Sequence, residues 1–576
     1  MLETVTTATP ARLLGALEEL RARVAAARLP LEINGADGAR GDLQGMVSQL
    51  EDYILPRLHQ LDAPLLAVVG GPTGAGKSTL VNSIVGRQVS TPGVLRPTTR
   101  TPVLVCHPAD EEWFSDQRVL PGLLRITGSA GGGAAGGLHL RHDKALPRGL
   151  ALLDAPDIDS IVAENRQLAA ELLAAADLWI FVTTAARYAD AVPWDLLISA
   201  QERSAAVAVV LDRVPAKAAN EVVTHLAALL SDHGLGDSPL FVVPESPIGA
   251  HGLLPAEVVE TLRGWLHSLA ADAVERQRVI RRTLDGALAS LDSRIVHLAE
   301  AADGQVTALG MLRTQVETAY RAALEEVEAA FTDGSLLRGE VLARWQEFVG
   351  TGELFKSLQN RVGRIRDRIG AAVRGRPQPG TSLQLALGTG IEALIVNAAD
   401  HAAEATIELW RAHPAGAALL AQAGPDLGKS NPDVPERVGA AVRAWQAYVR
   451  DLVRSQGMSK RATARFLSFG INGVALLVML AVFATTAGLT GAEIGVAAGS
   501  SALSHKLLEA IFGDQAVRSL AADARRNLVQ RIDDVLADEA RRFTALLDGA
   551  PVDANLPAWL RGQHATINEA RAESVR

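Results

Sequence analysis

The chain has 576 residues, 48% of them hydrophobic but only 4% aromatic, and its 56 Lys+Arg against 65 Asp+Glu leave a formal net charge of −9. At roughly 150 residues per domain this exceeds a single core, and an apolar fraction made of Ala, Leu and Val favours long helices over a β-sandwich. The acidic balance excludes a general nucleic-acid coat, which needs excess positive charge, and a lone cysteine, Cys106, excludes an intramolecular disulfide framework and a multi-cysteine metal site.

The opening MLETVTTATP carries Glu3 and no apolar core, so it does not read as a secretory signal. Residues 1–62 hold two helical patterns, 11–29 and 42–61, split by the turn-rich INGADGARG, and form a helical lead-in expected to be part of a bundle. From residue 63 to 268 the pattern changes to short apolar runs, LLAVV, PVLVC, LALLD, LWIFV, AVAVVL and LFVV, spaced by helical or Gly-rich stretches. That is how an α/β domain with a largely parallel sheet reads. Within it, ITGSAGGGAAGGLHL (126–140) is expected to be a flexible surface insertion. Residues 269–465 show almost only helical periodicity, which predicts a stalk or bundle. One stretch of it, 356–376, carries seven basic residues against Asp367, and suits either anionic lipid, an acidic partner or a solvated helix face.

Residues 466–488 form a run of 23 without a charge. A spanning helix needs about 20 apolar residues at 1.5 Å each to cross roughly 30 Å of hydrocarbon, so this run is long enough. A second apolar stretch, 491–513, is interrupted by Glu493, His505 and Lys506, but Gly491, Gly495 and Gly499 recur every fourth residue and allow close helix contact. Residues 466–512 are therefore expected to form a hydrophobic membrane hairpin or paddle. Arg450, Arg454, Lys460, Arg461 and Arg465 precede it and Lys506, Arg518, Arg525 and Arg526 end or follow it, which places both flanks, and both termini, on the cytoplasmic face of the membrane. Residues 513–576 are expected to return as helices to the bundle.

The sharpest chemistry lies in LLAVVGGPTGAGKST, a strand, a Gly-rich loop and a helix in the context a phosphate-binding P-loop demands. Gly71, Pro72, Thr73, Gly74, Ala75, Gly76, Lys77, Ser78 and Thr79 would wrap the phosphates, with glycines where the backbone approaches most closely. Lys77 would reach the β- and γ-phosphates and the Ser78 hydroxyl would ligate Mg²⁺. Asp154, at the end of LALLD, is placed to hold that Mg²⁺, and Thr98 or Thr99 in PTTRTP is placed like a switch threonine that senses the γ-phosphate. The loop alone does not distinguish ATP from GTP. The scattered His residues show no ligand spacing, so no protein-bound metal is expected beyond the nucleotide's Mg²⁺.

The combination of GPTGAGKS, PTTRTP, DAPDIDS, a helical region and a late apolar hairpin resembles the bacterial dynamin-like GTPases, membrane-associated large P-loop GTPases. The resemblance implies an α/β P-loop GTPase domain followed by a long α-helical stalk or bundle, a hairpin that engages lipid, and self-association as a homo-oligomer or pairing with a related GTPase. It implies Lys77 and Thr99 as catalytic residues, with Ser78, Thr99 and Asp154 as Mg²⁺ ligands. The chain departs from the family pattern in three places. Gly74 stands where dynamins commonly place a serine, Asp157 replaces the switch-II glycine, and Asp212-Arg213-Val214-Pro215 replaces the guanine-reading [NT]-K-x-D. Arg213 remains able to lie over the base, while the carboxylate is missing at Pro215 and Asp212 is the nearest substitute.

Three readings follow: a membrane-associated dynamin-like GTPase that couples hydrolysis to self-assembly and membrane remodelling, a nucleotide-binding membrane scaffold with little or no hydrolysis, and an Era-like ribosome-associated GTPase. The last predicts a basic RNA-binding domain after the G domain, where this sequence has acidic-to-neutral helices, so no nucleic-acid partner is expected. An ABC-type ATPase lacks support because there is no L-S-G-G-Q signature and Asp154 is followed by Ala155.

Overall fold

Alternation within the apolar runs builds the sheet. In β1 (Leu65–Gly70), Leu65, Ala67 and Val69 enter the hydrophobic layer on one face, and Leu66 and Val68 enter the layer on the other. A strand buried on both faces reads as a continuous apolar run, and β5 (Leu150–Asp154) and β6 (Leu178–Thr184) are likewise buried throughout. The computed structural model describes residues 11–90, 101–115, 119–120, 123–126, 137–160, 163–190, 194, 197–198, 200–201, 205–249, 251–332, 379–457, 480–481 and 514–575.

With β2 (Val103–Cys106), β3 (Leu124–Ile126), β4 (Gly137–His142), β7 (Ala206–Val214) and β8 (Leu240–Pro244), the order across the eight-stranded sheet is β3-β4-β2-β5-β1-β6-β7-β8. Pairing is parallel except between β2 and β5, where Val103 lies opposite Asp154. β1 sits between β5 and β6, so the crevice beyond its carboxyl end is where an open α/β sheet places a ligand. The six apolar runs are all strands. The expected flexible insertion is corrected at its end: Leu138 and Leu140 are buried in β4, because the alternation in GLHLRH suits a sheet with one apolar face. Residues 127–136 of that insertion lie outside the described residues.

The chain divides into two units, residues 1–29, 35–303 and 553–576, and residues 30–34 and 304–552. In the first, the sheet shares its unit with a helical cluster drawn from α1 (Ala11–Ala26), the run from α2 (Ala36–Gln49) through a π-turn (Leu50–Ile54) to α3 (Leu55–His59), the first part of the 60-residue helix Ala273–Thr332, and the helix Leu556–Val575. Leu17, Leu20, Ile54, Leu291 and Leu560 are buried in that cluster.

The second unit is helical, built from the later part of Ala273–Thr332 and the helices Pro379–Arg411, Pro414–Ala423, Val434–Gly457 and Asp514–Asp548. Its core centres on Trp410, edge-on to Phe543 at 5.6 Å, and on Trp445, whose indole N–H donates to Ala524 O at 2.8 Å. Among the described residues no helix is long and apolar enough to cross a membrane. The expected hairpin, residues 466–512, lies outside them except for Leu480 and Ala481, and Leu480 is only 2% exposed within this same protein core. A spanning hairpin therefore has no support from the described structure. The basic stretch 356–376 also lies outside the described residues.

Asp52, in the π-turn, makes the first unit pH-sensitive. Burial, then Glu171 and Glu51, push its carboxyl from 3.8 to about 6. The folded chain thus keeps a proton that the unfolded chain releases near pH 4, so stability falls as pH rises between those values and stays lowered above about 6. Asp52→Asn is expected to raise the melting temperature at pH 7.5 and leave it unchanged at pH 4; an equal shift at both would show that the charge is not the cause.

Candidate nucleotide-binding site

The loop between β1 and α4 (Lys77–Val85) is shaped by glycines that cannot be replaced. A Cβ on Gly71 would strike Val182 O of β6, and at Gly76, where φ is +93°, it would strike the Asp212 carboxylate at the end of β7. The loop is thus wedged between two strand ends, and α4 begins at Lys77 with its positive dipole end at the crevice. A Gly-rich loop that ends in a helix N-terminus suits a polyphosphate.

Lys77 is 5% exposed, and its ammonium donates to Gly71 O at 2.8 Å, Pro72 O at 3.1 Å and Asp157 Oδ1 at 2.5 Å. Ala75 is buried and Thr79 lies in the first turn of α4, its carbonyl accepting from Ser83 Oγ at 2.7 Å. Asp154, fully buried at the end of β5, accepts from Ser90 Oγ at 2.5 Å on Oδ2, and the Ser78 hydroxyl also bonds its carboxylate. Burial raises its pKa, against the pull of Ser78, Ser90 and Lys77. Oδ1 of Asp154 has no hydrogen-bond partner among the described residues. An orphaned carboxylate oxygen beside a hydroxyl and next to the Gly-rich loop is the hard oxygen set that Mg²⁺ takes, so these residues fit the ion. Thr98 and Thr99 lie outside the described residues.

Four residues that the sequence did not single out organise the site. Asn82 accepts from Val89 N and Ser90 N at 2.8 and 2.9 Å and donates to Ser90 O at 2.8 Å, fixing the chain after α4 so that Ser90 meets Asp154. A polar Asn inside the apolar helix KSTLVNSIV is the signal that could have found it. Asp159 accepts from Thr73 N at 2.6 Å, Thr73 Oγ1 at 2.7 Å and Arg187 at 2.8 Å; these bonds overcome its partial burial and hold its pKa below the usual range. Arg187 also donates to Thr73 O at 2.9 Å and to Asp190 at 2.7 Å, tying the loop to the chain after β6.

At the end of β7, Asp212 is 5% exposed, turned toward Gly76, and accepts from Arg213 N at 2.8 Å. Pairing with β8 is irregular between Leu211 and Val214, and Arg213 takes a φ of +54°, a left-handed conformation that costs a non-glycine residue about 1–2 kcal/mol. The bulge re-aims Arg213 into a cavity of about 950 Å³ bordered by Thr73, Gly74, Thr184, Arg187, Pro215 and Glu245. Lys77, Ser78, Asp154 and Asp212 therefore meet at one end of the sheet, and Arg213 faces the adjoining cavity.

No family model matches this chain, and no curated protein does. Two solved structures, both described as an oligomerised bacterial dynamin pair providing a mechanism for the long-range sensing and tethering of membranes, are 12% identical to it, with 98% of this chain and 95% of each of theirs covered and a TM-score of 0.42. Similarity at that level assigns no family, and the functional reading rests on the residues of this chain.

Proposed function

We propose that this chain is a membrane-associated, dynamin-like GTPase that couples Mg²⁺-dependent GTP hydrolysis to self-assembly and membrane organisation. The observation that carries the nucleotide part is the unpartnered, buried Oδ1 of Asp154 beside Ser78, at the mouth of a loop whose lysine is also buried. Ser78 and Asp154 would hold Mg²⁺, which supplies charge neutralisation at the β- and γ-phosphates when bound. The loop N–H groups and Lys77 orient the phosphates and spread the charge that develops as water attacks the γ-phosphate. Thr99 is the residue we assign to positioning that water. Among the described residues no glutamine occupies a water-orienting place, so activation through self-association suits the site. The membrane part rests on the uncharged run 466–488 and its basic flanks.

One observation favours a scaffold with little turnover: Asp157 stands where the switch glycine is expected and its carboxylate already occupies Lys77. Liposome sedimentation of the full chain and of a chain lacking 466–512, with GTP and with ATP, together with phosphate release at several protein concentrations, tests both. The GTPase reading expects lipid binding that the deletion abolishes and GTP turnover per molecule that rises with concentration. Tight GTP binding without turnover favours the scaffold, and no nucleotide binding overturns both.

A further inference from the structure

We propose that Glu245 is the residue that selects guanine, supplying from the end of β8 the carboxylate that Pro215 cannot supply from the end of β7. The inference rests on the nucleotide reading above and adds the base-recognition residue. A nucleotide whose phosphates lie on residues 71–78, with its metal on the β5 side at Asp154, must extend its base toward the ends of β6, β7 and β8, where the cavity lies. Glu245 N–H donates to Val214 O at 3.0 Å, which sets Glu245 beside Pro215, and both border the cavity with Arg213.

The other carboxylates near this place are already engaged. Asp159 is held by Thr73 and Arg187, Asp190 by Arg187, and Asp212 is buried toward Gly76 with its Oδ1 on Arg213 N. Glu245 has no ion-pair partner among the described residues, and it is exposed to the cavity. Guanine presents N1–H and the 2-amino group side by side, two donors that match one carboxylate. Adenine presents an acceptor at N1, which a carboxylate repels. A site built on such a pair discriminates strongly because the wrong base leaves its groups unmatched. Arg213, re-aimed by the bulge, lays its guanidinium over the base plane.

The experiment titrates fluorescently labelled GDP, ADP and XDP, with Mg²⁺, into the full chain and into Glu245→Gln. Xanthine carries a carbonyl in place of the 2-amino group, so a glutamine amide, accepting from N1–H and donating to that carbonyl, complements XDP. The wild type is expected to bind GDP at least 100-fold more tightly than ADP. Glu245→Gln is expected to lose about 30-fold or more for GDP and to prefer XDP. A general structural role would not produce that inversion, and the exposed position lets the variant fold. Unchanged GDP affinity in the variant, GDP weakened without a gain for XDP, or equal GDP and ADP binding by the wild type overturns the assignment while leaving nucleotide binding intact. Failure of the wild type to bind any of the three overturns the nucleotide reading itself, and this assignment with it.

Discussion

Replacing Lys77 with alanine is expected to weaken GTP binding at least 100-fold and to reduce turnover by a further factor of about 10²–10³, the usual cost of losing one charged group aimed at a transition state. Lys77 is 5% exposed, so little solvent screens it, and its ammonium is fixed by Gly71 O, Pro72 O and Asp157 within 3.1 Å. Asp157 neutralises it before a nucleotide arrives, and the γ-phosphate must take over that role for Lys77 to act. The substitution also leaves Asp157, 6% exposed, without its cation, so a lowered melting temperature accompanies the loss. Nucleotide titration and phosphate release, read on protein shown to be folded by circular dichroism, check the expectation. Wild-type turnover in a folded Lys77→Ala protein would remove the P-loop from the mechanism.

Asp177→Ala is expected to destabilise the sheet-containing unit by about 3–5 kcal/mol, the range for removing one partner of a buried ion pair. Asp177 is fully buried at the start of β6, where its Oδ2 accepts from Leu66 N of β1 at 2.8 Å and from Arg57 of α3. Arg57, 8% exposed, also donates to Ala63 O and Pro64 O at 3.2 and 3.3 Å. Thr283 extends the network, donating to Asp177 O at 3.0 Å and accepting from Ala206 N of β7 at 3.2 Å. One carboxylate thus links the lead-in helix to the two strands that flank the P-loop crevice. Without it a guanidinium remains in the core with only carbonyl partners. Urea unfolding read by hydrogen exchange of the β1 and β6 amides measures the change; a loss below 1 kcal/mol would show that the pair contributes little beyond its own desolvation.

Much of this architecture was legible locally. Strands such as LLAVV and LALLD are short, apolar and bounded by turn residues, because a strand covered on both faces has no polar alternation to hide. The Gly-rich loop between β1 and α4 was legible because its glycines answer a backbone requirement: at Gly71 and Gly76 no Cβ fits. β3 and β4 escaped because three and six residues rich in Arg and His, beside a glycine run, carry too little periodicity.

What the sequence by itself determined is six of the eight strands and the Gly-rich loop that sets Lys77 and Ser78 after β1, with Asp154 ending β5, all properties of contiguous residues. What only the tertiary structure decided is which distant side chains complete the site: Ser90 on Asp154, Asp157 on Lys77, Asp159 and Arg187 on Thr73, and Glu245 beside Pro215. Those residues lie as much as 114 positions from the partner they meet. They are joined by the strand order β5-β1-β6-β7-β8, which brings the loops after these five strands to one end of the sheet. No local pattern encodes that neighbourhood, because it follows from strand pairing and burial across the whole unit.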